Sequence, residues 1–124
     1  MAAPNVVNVT TITSKLAQAT PANTSATVLL ANAASSNKVF KINSLVAANV
    51  DGTNAVAVTV AVNSAADGSG TGYAIASTID VPADASLIVI DKLNSIYLEE
   101  NKSIVVTSGS ADDITFTVSY EEIS

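Results

Sequence analysis

Residues 55–62 read AVAVTVAV, and Val56, Val58, Val60 and Val62 recur with a period of two that only a β-strand places on one face. Those valines are expected in a core. The other parity, Ala55, Ala57, Thr59 and Ala61, carries no charge and a single hydroxyl, where a solvated strand face usually shows Lys, Glu or Thr. Two readings stay open: Ala57, Thr59 and Ala61 form a shallow contact face for another molecule, or a second sheet or loop of the same chain covers them.

The same pattern runs along the rest of the chain. After Pro4, NVVNVTTIT is β-branched and predicts a strand, with two uses open: an edge strand of this fold, or an N-terminal assembly arm over residues 1–14 with Val6, Val7 and Val9 as contacts. SKLAQA, residues 14–19, is too short to nucleate a helix and is expected to be a loop with at most one turn. SATVLLANA and KVFKINSLVAANV predict two strands, the second burying Phe40, Ile42, Ser44 and Val46. Asn49-Val50-Asp51-Gly52-Thr53-Asn54 is expected to be a hairpin turn into AVAVTVAV, because Asp-Gly supplies a positive φ. SAADGSGTG, residues 64–72, predicts a flexible hairpin tip, and YAIASTIDV a strand after it. SLIVIDKL is apolar on both faces from Leu87 to Ile90, as expected of a central strand. SIYL and SIVVTS are expected to pair across a turn at Glu99-Glu100-Asn101-Lys102, and ITFTVSY alternates from Ile114 to Tyr120. About eight or nine short strands, with turn signals every ~8 to 12 residues, predict an all-β fold. The expected architecture is an antiparallel β-sandwich, jelly-roll-like or Ig-like, forming a single domain over residues 1–124.

Composition sharpens this picture. Hydrophobic residues make up 48% of the chain but aromatics only 4%, so the core must be built from Val, Ile, Leu and Ala. Charged residues are 13%, about half the usual share, which leaves a polar but weakly charged surface. The net charge is −6, and every cation is a Lys, with neither Arg nor His present. Nucleic acid is therefore not an expected partner, since counterion release needs a basic patch and base readout favours Arg. The same charge argues against anionic membranes, and no run approaches the ~18 apolar residues of a membrane span. Absence of Cys excludes disulfides and thiolate metal sites. MAAPNVVNVTTIT lacks a basic n-region and a continuous apolar segment, so a soluble protein made in a cytoplasm is expected, and the sequons at Asn8, Asn23 and Asn101 are chance matches.

Candidate chemistry is sparse. Without His or Cys no Ser-His-Asp or Cys-His set exists, and in Ser14-Lys15 and Lys102-Ser103 strand neighbours point to opposite faces. The acid pairs Glu99-Glu100, Asp112-Asp113 and Glu121-Glu122 lie at turns or near the C-terminus, as solvated carboxylates do, and a hydrolase using Asp112 with Glu99 or Glu121 would need them to face one cleft. Asp67-Gly68-Ser69-Gly70-Thr71 lacks the closing bidentate Glu of a calcium loop. No catalytic, cofactor-binding or metal residues, and no cofactor, are expected. A sandwich also presents end loops, so a carbohydrate-binding adhesin module using residues 64–72 and 108–113 with Tyr73 and Tyr97 is an alternative.

Several segments together, MAAPNVVNVTTIT, KINSLVAANVDGTNAV, IASTIDVPADASLIVIDK and IYLEENKSIVVTS with the terminal SYEEIS, resemble small virion structural proteins of contractile-tailed marine cyanobacterial phages. The resemblance runs nearly end to end. It implies a non-enzymatic particle component: a capsid decoration (cement) protein that binds the assembled head, or else a tail, neck or fibre part. It further implies the virion as location, the major capsid protein as partner, and a homo-oligomer, with a trimer expected first. Where the family often has Gly after Leu-Glu-Glu, this chain has Asn101, which also tolerates left-handed backbone.

Overall fold

Alternating burial is what turns these runs into strands. On Ile114–Ile123 the residues Ile114, Phe116, Val118 and Tyr120 are buried while Thr115, Thr117 and Ser119 between them are not. The computed structural model describes Pro4 and residues 8–124. Among these residues nine strands form: β1 (Ile12–Ala19), β2 (Thr27–Asn32), β3 (Val39–Asn49), β4 (Val56–Asn63), β5 (Gly72–Val81), β6 (Ser86–Ile90), β7 (Ile96–Leu98), β8 (Lys102–Ser108) and β9 (Ile114–Ile123). They make a five-stranded sheet in the order β1-β9-β3-β6, with β7 also on β3, and a four-stranded sheet in the order β2-β8-β4-β5. All the pairings are antiparallel. The first sheet lies over the second with β1 above β2 and β6 above β5. β6 and β7 follow the same side of β3, separated by a 3-10 turn at Lys92–Asn94, so they are one interrupted edge strand. Counted that way, two sheets of four give the jelly-roll form of the expected sandwich.

The core between the sheets is aliphatic. Ile42, Leu45, Leu98, Ile104 and Phe116 are fully buried, each worth roughly 1.5–3 kcal/mol of transfer free energy. Phe40 and Tyr120 pack at 5.1 Å between ring centroids.

Several expectations are corrected by this topology. SKLAQA is strand, not loop: Lys15 to Ala19 continue β1 in unbroken register with β9, and Ala17 and Ala19 pack against the core. Tertiary pairing overrides the weak local propensity. On β3 the buried parity changes partway, from Phe40 and Ile42 to Leu45, Ala47 and Asn49, because Asn43 is an extra residue bulged out of the ladder with β9. Ser44 and Val46 therefore face outward. The Asp51-Gly52 turn is not a hairpin; it carries the chain from the five-stranded sheet to the four-stranded one, as does the turn from β7 to β8. β6 is an edge rather than a central strand, with Ile88 exposed. Asn101 does adopt φ 57°.

Candidate functional site

The valines of AVAVTVAV behave as their period requires, with Val56, Val58 and Val60 in the core. Of the opposite parity, Ala57, Thr59 and Ala61 are half-buried and Ala55 is exposed, and the neighbours of the half-buried three include residues of this chain. Ala57 O accepts from Gly109 N at 2.8 Å, and a side chain on Gly109 would come within 3.3 Å of the Ala57 backbone. Thr59 Oγ1 accepts from Thr78 N at 2.9 Å, which holds a bulge of β5 at φ 45°. Ala61 pairs with Ala74 and lies beside Gly72. At Gly109 the space for a side chain is limited because the Ala57 backbone comes close. Val9 is half-buried, and Val6 and Val7 lie outside the described residues.

The glycine-rich segment after β4 is not a free tip. Asn63, 5% exposed, donates to Gly68 O at 3.1 Å and Gly70 O at 3.2 Å, and its Oδ1 accepts from Ala65 N and Gly70 N. The loop folds back across the outside of the four-stranded sheet, where Ser103 Oγ donates to Ala65 O at 2.7 Å and Gly68 lies on Val28 and Val105. This accounts for the burial of Val105, which stands outside the main core cluster. Asn32 and Asn49 act alike at the ends of β2 and β3. Asn32 donates to Lys38 O and Leu98 O, and Asn49 to Asn54 O, Val81 O and Pro82 O. Each buried amide satisfies carbonyls at strand ends and in the connections beside it, as a buried polar group requires. The sequence carries the signal for all three: an Asn closing an apolar strand just before a run of small polar residues.

The candidate chemistry is dispersed. Asp112 precedes β9 and Glu121 lies near its end, about 30 Å apart at ~3.3 Å per strand residue, and Glu99 belongs to the Glu121 end because Leu98 and Glu122 both register with Phe40. The hydrolase pairs thus do not meet. Asp67 accepts from the Ser69 amide and hydroxyl, and hydrogen bonding to Ser69 holds its carboxyl below the usual range. The proposed adhesin loops fall at opposite ends of the sandwich: residues 64–71 follow Asn63, which pairs Ser103, whereas residues 109–113 follow Ser108, which pairs Val58. Tyr73 and Tyr97, on β5 and β7, are both exposed. Glu122 accepts from Lys38 at 2.6 Å and Lys15 at 3.1 Å, and these ammonium groups, Lys38 first, lower its pKa. Among the described residues no three His, Cys, Asp or Glu side chains are grouped to hold a metal ion.

What the sequence did not single out is the outer face of the five-stranded sheet. Since paired residues share a face, Thr115, Thr117 and Ser119 of β9 lie level with Leu16 and Gln18 of β1, Ser44, Val46 and Ala48 of β3, and Ser86 and Ile88 of β6. None of these carries a charge. Leu16 and Ile88 are 60% and 63% exposed at its two sides. Lys41 and Glu121, a cross-strand pair, sit together at one end of the face. The bulge at Asn43 creates this surface by turning Ser44 and Val46 outward.

A β-sandwich of jelly-roll order with a neutral outer face is the class that fold and surface define. No protein-family model and no curated protein matches the chain. Among solved structures, a chain from a study of Bacillus endospore appendages, described as a novel family of disulfide-linked pili, is similar at 17% identity and a TM-score of 0.49, over 91% of this chain and 87% of that one. A likeness that distant decides nothing about role.

Proposed function

We propose that this chain is a non-enzymatic structural component of a phage particle, made in the host cytoplasm, that decorates the assembled head through the outer face of its five-stranded sheet. The observation that carries the reading is that face: rows of Thr, Ser, Ala and Val, edged by Leu16 and Ile88, can be covered by another protein without stranding a buried charge. The end-to-end resemblance to small phage virion proteins supports the same assignment, with the major capsid protein as partner and a homo-oligomer as the binding unit. Fold alone would not, since sandwiches serve unrelated roles.

The test is reconstitution on purified heads followed by cryo-electron microscopy. Regular density on the capsid exterior is expected for the native chain, with loss of binding for Thr117→Glu combined with Ile88→Glu while the melting temperature is kept. Density confined to tail, neck or fibre would retire the head assignment, and binding to host polysaccharide on a glycan array in place of any particle would replace it with the adhesin reading.

A further inference from the structure

Among the described residues the two sheets have four edges, and three of them are irregular. β2 carries an extra residue at Leu29, β5 shifts register twice against β4, and β6 bulges at Val89 and then breaks off before β7. Bulges at an edge are a recognised way of preventing another strand from adding to it. β1 has none: all eight residues, Ile12 to Ala19, pair with β9 in unbroken register.

Which backbone groups of β1 point away from β9 follows from one pair. Thr11 and Ser124 exchange both hydrogen bonds, Thr11 N to Ser124 O at 3.1 Å and Ser124 N to Thr11 O at 3.0 Å. Bonded and unbonded pairs alternate in an antiparallel ladder, so Thr13, Lys15, Ala17 and Ala19 bond β9. Ile12, Ser14, Leu16 and Gln18 therefore turn their N–H and C=O groups outward. The one charge on the strand does not guard this edge, because the Lys15 ammonium is held by Glu122 of its own chain at 3.1 Å.

We propose that β1 is a self-association edge, pairing antiparallel with β1 of a second copy about a two-fold axis at Ser14. The other three edges cannot follow β1 along its length without a break, so its regular complement is β1 itself. Register is then fixed by chemistry. Placing the axis at Ser14 sets Ile12 of each copy against Leu16 of the other, gives each exposed apolar side chain an apolar cross-strand partner, and puts Lys15 opposite Thr13. An axis one residue further along would set the two Lys15 side chains against each other, which like charge disfavours. A half-step would swap core and outer faces. The two five-stranded sheets become one continuous sheet, and the unit of assembly is a dimer in place of the trimer expected from resemblance. A strand edge buries less than the ~1,000 Å² of a stable interface, so the dimer forms reversibly with concentration. The inference rests on the strand edge alone and holds whether or not the outer face binds a phage head.

Residue-resolved amide exchange across a concentration series, with sedimentation velocity on the same samples, tests it. From micromolar to millimolar chain, the Ile12, Ser14, Leu16 and Gln18 amides should gain about tenfold protection as mass moves from one chain to two, while those of Lys15, Ala17 and Ala19 stay protected throughout. Ser14→Pro removes an outward N–H and should abolish both changes while leaving the Lys15, Ala17 and Ala19 amides protected. Leu16→Lys is the second variant and should weaken the dimer in the same way. Deleting residues 2–8 should leave the dimer intact. Outward amides that exchange equally fast at every concentration would overturn the proposal, and so would a dimer lost with residues 2–8, since that would assign the edge to a neighbour's N-terminal segment.

Discussion

Asp51-Gly52 and Asp67-Gly68 are the same dipeptide in two connections, and they fold differently. In both, the Asp carboxylate accepts the amide two residues on, Thr53 N at 2.8 Å and Ser69 N at 3.0 Å. In both, a buried Asn ends the preceding strand. Yet Gly68 takes φ +80° while Gly52 stays out of the left-handed region. The difference lies in where each connection must go. Residues 50–55 cross between sheets, and Asn49 ties them to Val81 O and Pro82 O at the β5–β6 corner; residues 64–71 return to the same sheet, and Asn63 bonds only within its own loop. Local sequence offers the turn, and the strand that follows selects its form.

The two connections differ most at their asparagines. Asn49→Ala should cost about 2–4 kcal/mol, because it leaves the buried Val81 carbonyl unpaired in a second connection, and Asn63→Ala about 1–2 kcal/mol, because loosened loop carbonyls regain water. Urea unfolding of both variants measures this, and equal losses would remove the distinction between joining two connections and closing one. Next come the glycines. Gly68→Ala combines positive φ with a Cβ 2.9 Å from Val28 Cγ2 and should lose about 1–3 kcal/mol, whereas Gly52→Ala meets nothing closer than Asp84 Oδ2 at 3.5 Å and should stay within about 0.5 kcal/mol. Thermal melts of the pair decide it; a Gly52→Ala chain melting as low as Gly68→Ala would mean that both turns need left-handed backbone.

The finest contrast is electrostatic. Both carboxyls are held below their ordinary 3.8, Asp51 chiefly by the Thr53 amide and Asp67 chiefly by the Ser69 hydroxyl. A depressed folded-state pKa stabilises above the unfolded value, and that contribution fades as pH falls through the folded one. Ser69→Ala should therefore raise the Asp67 pKa, while Thr53→Ala should leave that of Asp51 in place because its main donor is backbone. Carboxyl titration by NMR below pH 5 reads both, and equal shifts in the two variants would refute the assignment of donors.

How far the sequence could be read follows the same division. Strands whose period is unbroken were legible: β4 through its valines, β9 through Ile114, Phe116, Val118 and Tyr120. β3 was legible only to Ile42, since the bulge at Asn43 answers to β9, a strand more than seventy residues away. The β6 segment looked central because Leu87 to Ile90 is uniformly apolar, yet among the described residues no strand lies beyond it in the sheet, and composition does not record position in a sheet. Within the candidate site, the uncharged parity of β4 was visible but its neighbours were not, because Gly109 and Thr78 reach it through tertiary structure. The neutral face of the other sheet needed register across four strands. No local window contains that.

The strand order carries one further consequence, for the time course of folding. Among the described residues β1 has no ladder partner but β9, and β9 also supplies the middle of that sheet by pairing β3. The first strand must therefore stay unpaired until the last one arrives, and the closing contacts span nearly the whole described chain. Among the described strands only β4 and β5 are consecutive and form a ladder with each other, so that hairpin is the local nucleus their topology offers. Such non-local wiring places the search in the millisecond-to-second range typical of sandwiches, and for that interval the regular edge of β1 is exposed on both of its sides.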